Sequence, residues 1–195
     1  YLVKNAITIN SGITLTIEPG VVIKFDASSS ITANGAIQAI GTAANKIIFT
    51  SLKDDDYGGD LNADATSTTA APGNWRTIVL AGSGSEFNQT IIRYGGKFFS
   101  GQTSGWANLK VESTSATIKN SIIEESYVYG LWLQSASGLV EGNNIRGNDN
   151  YFLARGIFVE GGSAEIKANT LQGNLVGLRI DPSANTSNVI NNTFS

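Results

Sequence analysis

The sequence predicts a right-handed parallel β-helix, and two repeating patterns in its C-terminal part are the basis of this prediction. Asparagines that precede short apolar segments recur at intervals of 23, 26 and 23 residues, at Asn120, Asn143, Asn169 and Asn192. Between them, glycines that open an apolar–x–apolar triplet recur at Gly130, Gly156 and Gly177. A period in the twenties, carried by short alternating strands, is typical of a solenoid, because one coil cannot bury its apolar face alone whereas stacked coils share a core.

The strands after these glycines divide their side chains between two faces, because successive side chains of a β-strand point to opposite sides. One face takes the aliphatic residues Leu131, Leu133, Ile157, Val159, Leu178 and Ile180. The other face takes Trp132, Phe158 and Arg179. We therefore expect the aliphatic set to fill the interior of the solenoid and the second set to lie outside.

The N-terminal part continues the same pattern. Residues 6–51 contain short runs in which apolar and polar residues alternate, and Glu18-Pro19-Gly20 separates two of these runs with residues typical of a turn. Residues 52–74 are polar and acidic, and we interpret them as a loop inserted between two strands. Residues 94–106 form a second irregular loop, after which the strand pattern resumes and runs to the end. The whole pattern predicts about seven or eight coils.

Composition restricts the classes of function. The 195 residues are expected to form one domain, residues 1–195, excised from a longer multidomain chain. The net charge of −3 and the absence of a basic cluster argue against a nucleic-acid partner. The chain contains no Cys and no His, so it has neither disulfides nor the commonest general base and metal ligand. No apolar run is long enough for membrane insertion, and the richness in Thr, Ser, Asn and Gly favours an extracellular or cell-surface location.

Several stretches of the N-terminal half also carry a family resemblance. The segment Leu15-Thr16-Ile17-Glu18-Pro19-Gly20-Val21-Val22-Ile23-Lys24-Phe25 resembles the opening of right-handed β-helix repeat domains in large secreted bacterial surface proteins. Phe49-Thr50-Ser51, residues 54–64, Pro72-Gly73-Asn74-Trp75 and Tyr94-Gly95-Gly96 resemble the part that follows in those proteins. The resemblance implies the fold of the pectin-lyase-like superfamily and a surface or adhesive role. A shared fold does not by itself confer lyase activity.

The acidic insertion is the best candidate for a metal site. Asp60, Asn62 and Asp64 place oxygen ligands at alternate positions, as in the first half of an EF-hand loop. Further carboxylates come from Asp54, Asp55 and Asp56. The EF-hand glycine and its twelfth-position glutamate are absent, so a complete EF-hand is excluded. We expect a structural Ca²⁺ that orders the loop, and the alternative is a solvated acidic loop.

The outward-facing column is the candidate ligand-binding surface. Alignment of the strands stacks Lys110, Trp132, Phe158 and Arg179, with Glu112, Gln134, Glu160 and Asp181 in the next outward column. Aromatic rings beside carboxylates can stack on sugar rings and bind their hydroxyl groups, which predicts a polysaccharide or glycan as ligand. The alternative is that the rings only cover the sheet and that the cations pack over them. Residues expected to line a groove beside this column are Tyr94, Phe98, Phe99, Trp106, Tyr127, Tyr129, Tyr151 and Phe152.

Three functions remain open from the sequence. The first is a non-catalytic module for adhesion or display that binds carbohydrate, and another is a purely structural spacer between neighbouring domains of the same chain. The third is a polysaccharide lyase or glycoside hydrolase. A glycosidase needs two carboxylates about 5–10 Å apart, for which Glu112, Glu160 and Asp181 are candidates. A lyase needs a base beside the metal, whereas the arginines are scattered, at Arg76, Arg93, Arg146, Arg155 and Arg179. We favour the non-catalytic module.

Overall fold

The chain folds into a right-handed parallel β-helix in a computed structural model that describes residues 1–65, 67–97, 106–182 and 188–195. The described residues contain strands and turns and no helix. The strands are β1 (Leu2–Val3), β2 (Ala6–Ile9), β3 (Thr14–Ile17), β4 (Val22–Phe25), β5 (Ser30–Ala33), β6 (Ala36–Ile40), β7 (Ile47–Ser51), β8 (Thr77–Leu80), β9 (Ser85–Asn88), β10 (Thr90–Arg93), β11 (Ala107–Glu112), β12 (Ser115–Lys119), β13 (Ile122–Glu124), β14 (Tyr129–Glu141), β15 (Asn144–Arg146), β16 (Arg155–Gly162), β17 (Glu165–Lys167), β18 (Thr170–Gln172), β19 (Leu178–Ile180), β20 (Asn188–Ile190) and β21 (Thr193–Phe194).

Each coil contributes a strand to each of three parallel sheets. The first sheet has the order β1-β4-β7-β10-β13-β15-β18-β21. The second sheet has the order β2-β5-β8-β11-β14-β16-β19. The third sheet has the order β3-β6-β9-β12-β14-β17-β20. The 13-residue strand β14 takes part in both the second and the third sheet. Neighbouring coils therefore hydrogen-bond along the axis of the solenoid.

The predicted aliphatic interior is confirmed except at Ile180, which is exposed on the last coil. In the second sheet Leu131 pairs with Ile157 and Ile157 with Leu178, so like side chains lie over one another from coil to coil. Leu131 and Ile157 are fully buried, and Leu178 packs against the same core. Because the strands pair in parallel and in register, a residue that is buried in one coil is expected to have a buried partner at the equivalent position of the next coil.

An asparagine ladder runs along one corner of the solenoid. The side-chain oxygen of Asn143 accepts a hydrogen bond from the backbone N–H of Ser121 at 3.0 Å, and Asn169 and Asn192 repeat this contact for the next coils at 2.9 Å. The ladder thus begins with Ser121, and Asn120, the first asparagine of the sequence repeat, lies outside it. Asn120 is exposed and donates its side-chain N–H to Asn88 instead.

A second ladder lies at another corner and explains the glycine pattern. Asn148 accepts a hydrogen bond from the N–H of Ser126 at 2.9 Å, and Asn174 accepts one from the N–H of Asn148 at 3.3 Å. A Cβ atom at Gly130 would lie 2.9 Å from Nδ2 of Asn148, and one at Gly156 would lie 3.0 Å from Nδ2 of Asn174. A side chain at Gly130 or Gly156 would therefore collide with an asparagine amide and with a backbone carbonyl oxygen of the next coil, 2.7 Å away. At Gly177 the ring of Phe194 occupies the corresponding space.

The acidic insertion is held to the solenoid where it returns. Strand β7 ends at Ser51 and β8 begins at Thr77. Just before β8, the fully buried ring of Trp75 stacks on Phe25 at a centroid distance of 4.2 Å, and its indole N–H donates to the carbonyl oxygen of Arg93 at 2.9 Å. This residue thereby fixes the end of the insertion in the core.

Both ends of the solenoid expose apolar surface. A cavity of about 400 Å³ at the β1–β3 end is lined by Leu2, Ile7, Leu15 and Ile17 among others. At the opposite end, residues with exposed side chains are Ile180, Val189, Ile190 and Phe194. The described part of the chain has no helix with the length and apolarity that a membrane span requires.

Candidate functional site

The outer surface of the second sheet carries the two columns of side chains that the alignment predicts. Strand register places Lys110 beside Trp132, Trp132 beside Phe158, and Phe158 beside Arg179. In the neighbouring column Glu112 pairs with Gln134 and Gln134 with Glu160. Asp181 follows β19, where its backbone N–H donates to the carbonyl oxygen of Val159 at 2.8 Å. The sequence-predicted residues therefore lie together on one face.

Burial differs sharply along the first column. Lys110 and Trp132 are only 2% and 5% exposed, whereas Phe158 is partly exposed and Arg179 is exposed. The ammonium of Lys110 lies 4.3 Å from the centre of the Trp132 ring and 3.4 Å from a carboxylate oxygen of Glu112. Trp132 is consequently a wall of the surface and offers no open ring face, and the accessible ring of the column belongs to Phe158.

Four aromatic rings of this surface enclose a pocket of about 230 Å³. Its lining, called the aromatic pocket below, consists of Trp106, Tyr129, Trp132, Gln134, Phe158 and Glu160. The rings are not coplanar: the planes of Tyr129 and Phe158 are tilted by 42° at a centroid distance of 5.0 Å, and Tyr129 meets Trp132 edge to face. This arrangement makes a concave apolar wall and not a flat platform.

Glu160 supplies the charged group of the aromatic pocket. Its Oε2 atom accepts hydrogen bonds from the indole N–H of Trp132 at 3.1 Å and from the side-chain amide of Gln134 at 3.0 Å. These two contacts fix the carboxylate, and no residue that the structure describes donates to its Oε1 atom. A carboxylate held in this way can accept a hydrogen bond from a ligand hydroxyl while the apolar wall contacts the carbon atoms of a ring.

Two arginines act on the phenol of Tyr129. Burial raises the pKa of Tyr129, and the charges of Arg155 and Arg179 only partly oppose this effect. The phenol therefore stays protonated at neutral pH and remains a hydrogen-bond donor. Arg155 is adjacent to Tyr129 in the strand register. The sequence analysis considered Arg155 only as one of the scattered arginines. A comparison of equivalent positions could have singled it out, because Arg155 precedes Gly156 where the preceding coil has Tyr129 before Gly130.

The other residues predicted to line a groove fall into three groups. Tyr127 stacks on Tyr151 at a centroid distance of 5.4 Å, and Tyr151 contacts Phe152, which is 72% exposed, so these rings extend the aromatic surface. Tyr94 does not join this surface and lies over Arg93. Phe98 and Phe99 lie outside the described residues.

The acidic insertion brings together four of the six predicted metal ligands. Asp55, Asp60 and Asp64 each place a carboxylate oxygen within 4.8 Å of the others. Asn62 belongs to the same group, because its side-chain amide donates to Asp64 at 2.7 Å. One side-chain oxygen of each of Asp55, Asn62 and Asp64 is shielded from solvent and accepts no hydrogen bond from the described residues. Buried oxygens of this kind are expected to have a partner, and a bound cation is one that suits them.

Asp54 and Asp56 are the exception among the predicted ligands, because they bind a side chain of the solenoid. Asp54 is buried, accepts a hydrogen bond from the hydroxyl of Thr50, and lies 3.6 Å from Nε of Arg93. Asp56 lies 3.5 Å from Nη2 of the same arginine. Their assignment to a common metal site with Asp60 and Asp64 is corrected accordingly: these two carboxylates anchor the insertion.

Arg93 and Lys24 complete this anchor. The guanidinium of Arg93 lies over the rings of Tyr57 and Tyr94, at 5.5 and 4.3 Å from their centres. Burial lowers the pKa of Arg93, but a hydrogen bond to Tyr94 and the nearby carboxylates outweigh it and raise the pKa overall. Arg93 is thus held as a cation and is unsuited to act as a base. The buried ammonium of Lys24 donates to the carbonyl oxygens of Asp54 and Gly59.

A family model described as a right-handed β-helix region matches residues 64–195. This chain belongs to the right-handed β-helix family. The family is broad and includes both enzymes and non-catalytic proteins, so membership identifies the fold and not the chemistry of this β-helix.

Similarity to individual proteins is limited. The Drosophila melanogaster protein named Protein bark beetle is 30% identical to this β-helix over 111 residues. The match covers 49% of the chain and 3% of that protein, so the chain corresponds to a small part of it. No solved structure matches this β-helix significantly.

Proposed function

We propose that this β-helix is a non-catalytic extracellular module for adhesion or display, which binds a polysaccharide at the aromatic pocket and has its acidic insertion ordered by Ca²⁺. The observation that carries the proposal is the combination of four aromatic walls with one fixed carboxylate in a single concavity. Carbohydrate rings have apolar C–H faces and a rim of hydroxyl groups, and this combination is complementary to both.

The volume of the pocket limits the ligand to a small cyclic unit. Its volume of about 230 Å³ is below the range of roughly 300–1,000 Å³ that holds drug-sized ligands. One sugar ring of a longer chain is the unit that we expect it to hold, with the chain continuing along the partly exposed rings. Phe152 and Tyr151 lie on the extension of this surface and provide additional contact area.

Replacing Phe158 with alanine is expected to weaken polysaccharide binding by about 5- to 10-fold, because it removes a partly exposed aromatic wall of the pocket. Glu160→Gln keeps the shape of the side chain and is expected to weaken binding as well, because a charge-assisted acceptor becomes a neutral one. The measurement is titration calorimetry with polysaccharides selected from a glycan array. Thr8→Ala, at an exposed position far along the second sheet, is the matched control and should bind as the wild type does.

The same experiment separates the alternative functions. Binding that is unchanged in both pocket variants would place the ligand elsewhere and contradict the proposal. A wild-type protein that binds no glycan would favour the structural spacer. Shortened or unsaturated products after incubation with a polysaccharide would favour the lyase or hydrolase. Two of the candidate catalytic carboxylates already have partners in the structure. Glu112 pairs with Lys110, and Glu160 accepts hydrogen bonds from Trp132 and Gln134.

Calcium is proposed for the group formed by Asp55, Asp60, Asn62 and Asp64. Three carboxylates that lie within 4.8 Å of one another repel each other when ionised, and a divalent cation would offset this repulsion. The solvent-shielded oxygens of Asp55, Asn62 and Asp64 would supply ligands of the type that Ca²⁺ prefers, with backbone carbonyls and water completing its shell.

Calcium at about 100 times its dissociation constant is expected to stabilise the wild type by about 2.7 kcal/mol, which corresponds to a rise in Tm of roughly 5–10 °C for a chain of this length. The measurement is thermal unfolding followed by circular dichroism, with calcium and with a chelator. Asp60→Asn combined with Asp64→Asn should abolish the rise, whereas Asp56→Asn should retain it because Asp56 contacts Arg93. A rise that persists in the double variant would overturn the calcium site.

Neighbouring domains of the same polypeptide are the partners that we propose for the two apolar ends. The cavity lined by Leu2, Ile7 and Leu15 at one end and the exposed Ile190 and Phe194 at the other are surfaces that a packed domain would cover. Unpaired strand edges at both ends would find hydrogen-bond partners in the same way.

A further inference from the structure

Two polar groups in the lining of the aromatic pocket lack a hydrogen-bond partner among the described residues. The Oε1 atom of Glu160 is one of them, because Trp132 and Gln134 both donate to Oε2. The phenol of Tyr129 is the other, although Tyr129 is only 8% exposed. A buried tyrosine hydroxyl usually has a hydrogen-bond partner, because a buried polar group without one costs free energy. Both groups are therefore available to a ligand in the pocket.

These two groups have opposite hydrogen-bonding roles. Burial raises the pKa of Tyr129, so the phenol is protonated at neutral pH and can donate its O–H. The carboxylate of Glu160 only accepts hydrogen bonds. A carboxylate in the lining also disfavours an anionic group placed beside it. The pocket consequently suits an uncharged ligand group that offers one donor and one acceptor.

Inclined aromatic rings surround the two polar groups. The rings of Trp106 and Tyr129 are 6.3 Å apart and tilted by 44°, and those of Trp132 and Phe158 are 6.1 Å apart and tilted by 31°. All four residues line the same pocket of about 230 Å³. Because the apolar walls enclose a small concavity, a ligand that presents only hydroxyl groups leaves them without an apolar partner, whereas a methyl group buries apolar surface against them.

We propose that the aromatic pocket selects a sugar unit that carries an acetamido group, as in polysaccharides built from N-acetylated amino sugars. A secondary amide presents one N–H donor and one carbonyl acceptor. The N–H donates to Oε1 of Glu160, the carbonyl oxygen accepts from the phenol of Tyr129, and the methyl group contacts the aromatic walls. This inference rests on the proposed polysaccharide function and names the class of sugar for it.

The test compares three oligosaccharides of equal length and linkage, built from N-acetylglucosamine, glucosamine or glucose, by titration calorimetry with the wild type. Their rings differ in a single substituent, which is an acetamido group, an amine or a hydroxyl. We expect the N-acetylglucosamine oligomer to bind at least about 10-fold more tightly than the glucose oligomer, because a site built for an amide is left unpaired by a ligand that lacks it. Tightest binding of the glucosamine oligomer would show selection of a cation and would overturn the inference.

Tyr129→Phe removes the phenol oxygen and keeps the aromatic wall. It is expected to weaken binding of the N-acetylglucosamine oligomer by about 5- to 10-fold, and to change the weaker affinity for the glucose oligomer by less than about 2-fold. Tyr127→Phe is the matched control, because Tyr127 stacks on Tyr151 outside the lining of the pocket and should bind as the wild type does. Phe158→Ala removes a wall and should weaken binding of both oligomers.

Thermal unfolding distinguishes recognition by the phenol from a structural role. Without ligand, Tyr129→Phe should have the same Tm as the wild type or a higher one, because the phenol makes no hydrogen bond with the described residues. A lower Tm together with equal losses of affinity for the two oligomers would make the phenol a structural group and overturn the inference. Equal binding of all three oligomers by the wild type would overturn it too while leaving the proposed function intact, whereas a wild type that binds no glycan at all would refute the function itself.

Discussion

Replacing Trp75 with alanine is expected to lower the free energy of unfolding by about 4 kcal/mol, which is the typical cost of truncating a large buried aromatic residue. The ring is fully buried, stacks on Phe25 at 4.2 Å, and donates its N–H to the carbonyl oxygen of Arg93. Its removal leaves a cavity and an unpaired carbonyl oxygen at the point where the acidic insertion rejoins the solenoid. Urea unfolding followed by circular dichroism measures the loss.

Phe152→Ala is the control for the Trp75 variant. Phe152 is 72% exposed, so its truncation should change the free energy of unfolding by less than about 0.5 kcal/mol. Trp75→Phe should recover part of the loss, because it restores the stacking on Phe25 but not the hydrogen bond. A loss below about 1 kcal/mol in Trp75→Ala would show that the insertion is not anchored in the core by this ring.

Replacing Asn143 with alanine is expected to cost about 2–4 kcal/mol of stability, because several buried backbone and side-chain groups lose their partners together. The side chain accepts from the N–H of Ser121 at 3.0 Å and donates to the carbonyl oxygen of Ile118 and to Asn169, both at 2.9 Å. It is 1% exposed, so water cannot replace these contacts without rearrangement. The same unfolding measurement gives the difference.

Asn5 provides the control for the Asn143 prediction. It is the same residue type, but it is exposed, and its φ lies outside the left-handed region, so alanine fits its backbone without strain. Asn5→Ala should therefore cost less than about 0.5 kcal/mol. Equal losses in the two variants would mean that the ladder hydrogen bonds make no net contribution to stability.

The fold and the positions of its columns could be predicted from sequence because the pairing is parallel and in register. Once the intervals between Gly130, Gly156 and Gly177 are known, the residues that follow them must stack, and they do. The sequence intervals alone, however, do not define which residues of two coils are equivalent when neighbouring residues fit the pattern equally well. Asn120 matches Asn143 in residue type, but the register pairs Ile122 with Asn144, so Ser121 and not Asn120 lies over Asn143.

The details of the candidate sites were less predictable because they depend on contacts between distant loops. Alternation places Trp132 outside the solenoid, but it does not show that Tyr129, Phe158 and Lys110 cover its ring. The separation of Asp54 and Asp56 from the other acidic residues depends on Arg93, which lies on a later strand.

The direction of the hydrogen bonds has a mechanical consequence. Because the strands of neighbouring coils pair along the solenoid axis, a tensile force applied between the two ends stretches the bonds of successive coils in series. Such a load opens the weakest junction first, and the chain then peels away by one coil at a time. Asn143, Asn169 and Asn192 cross three successive junctions on one corner, so they reinforce that half of the rod against rupture.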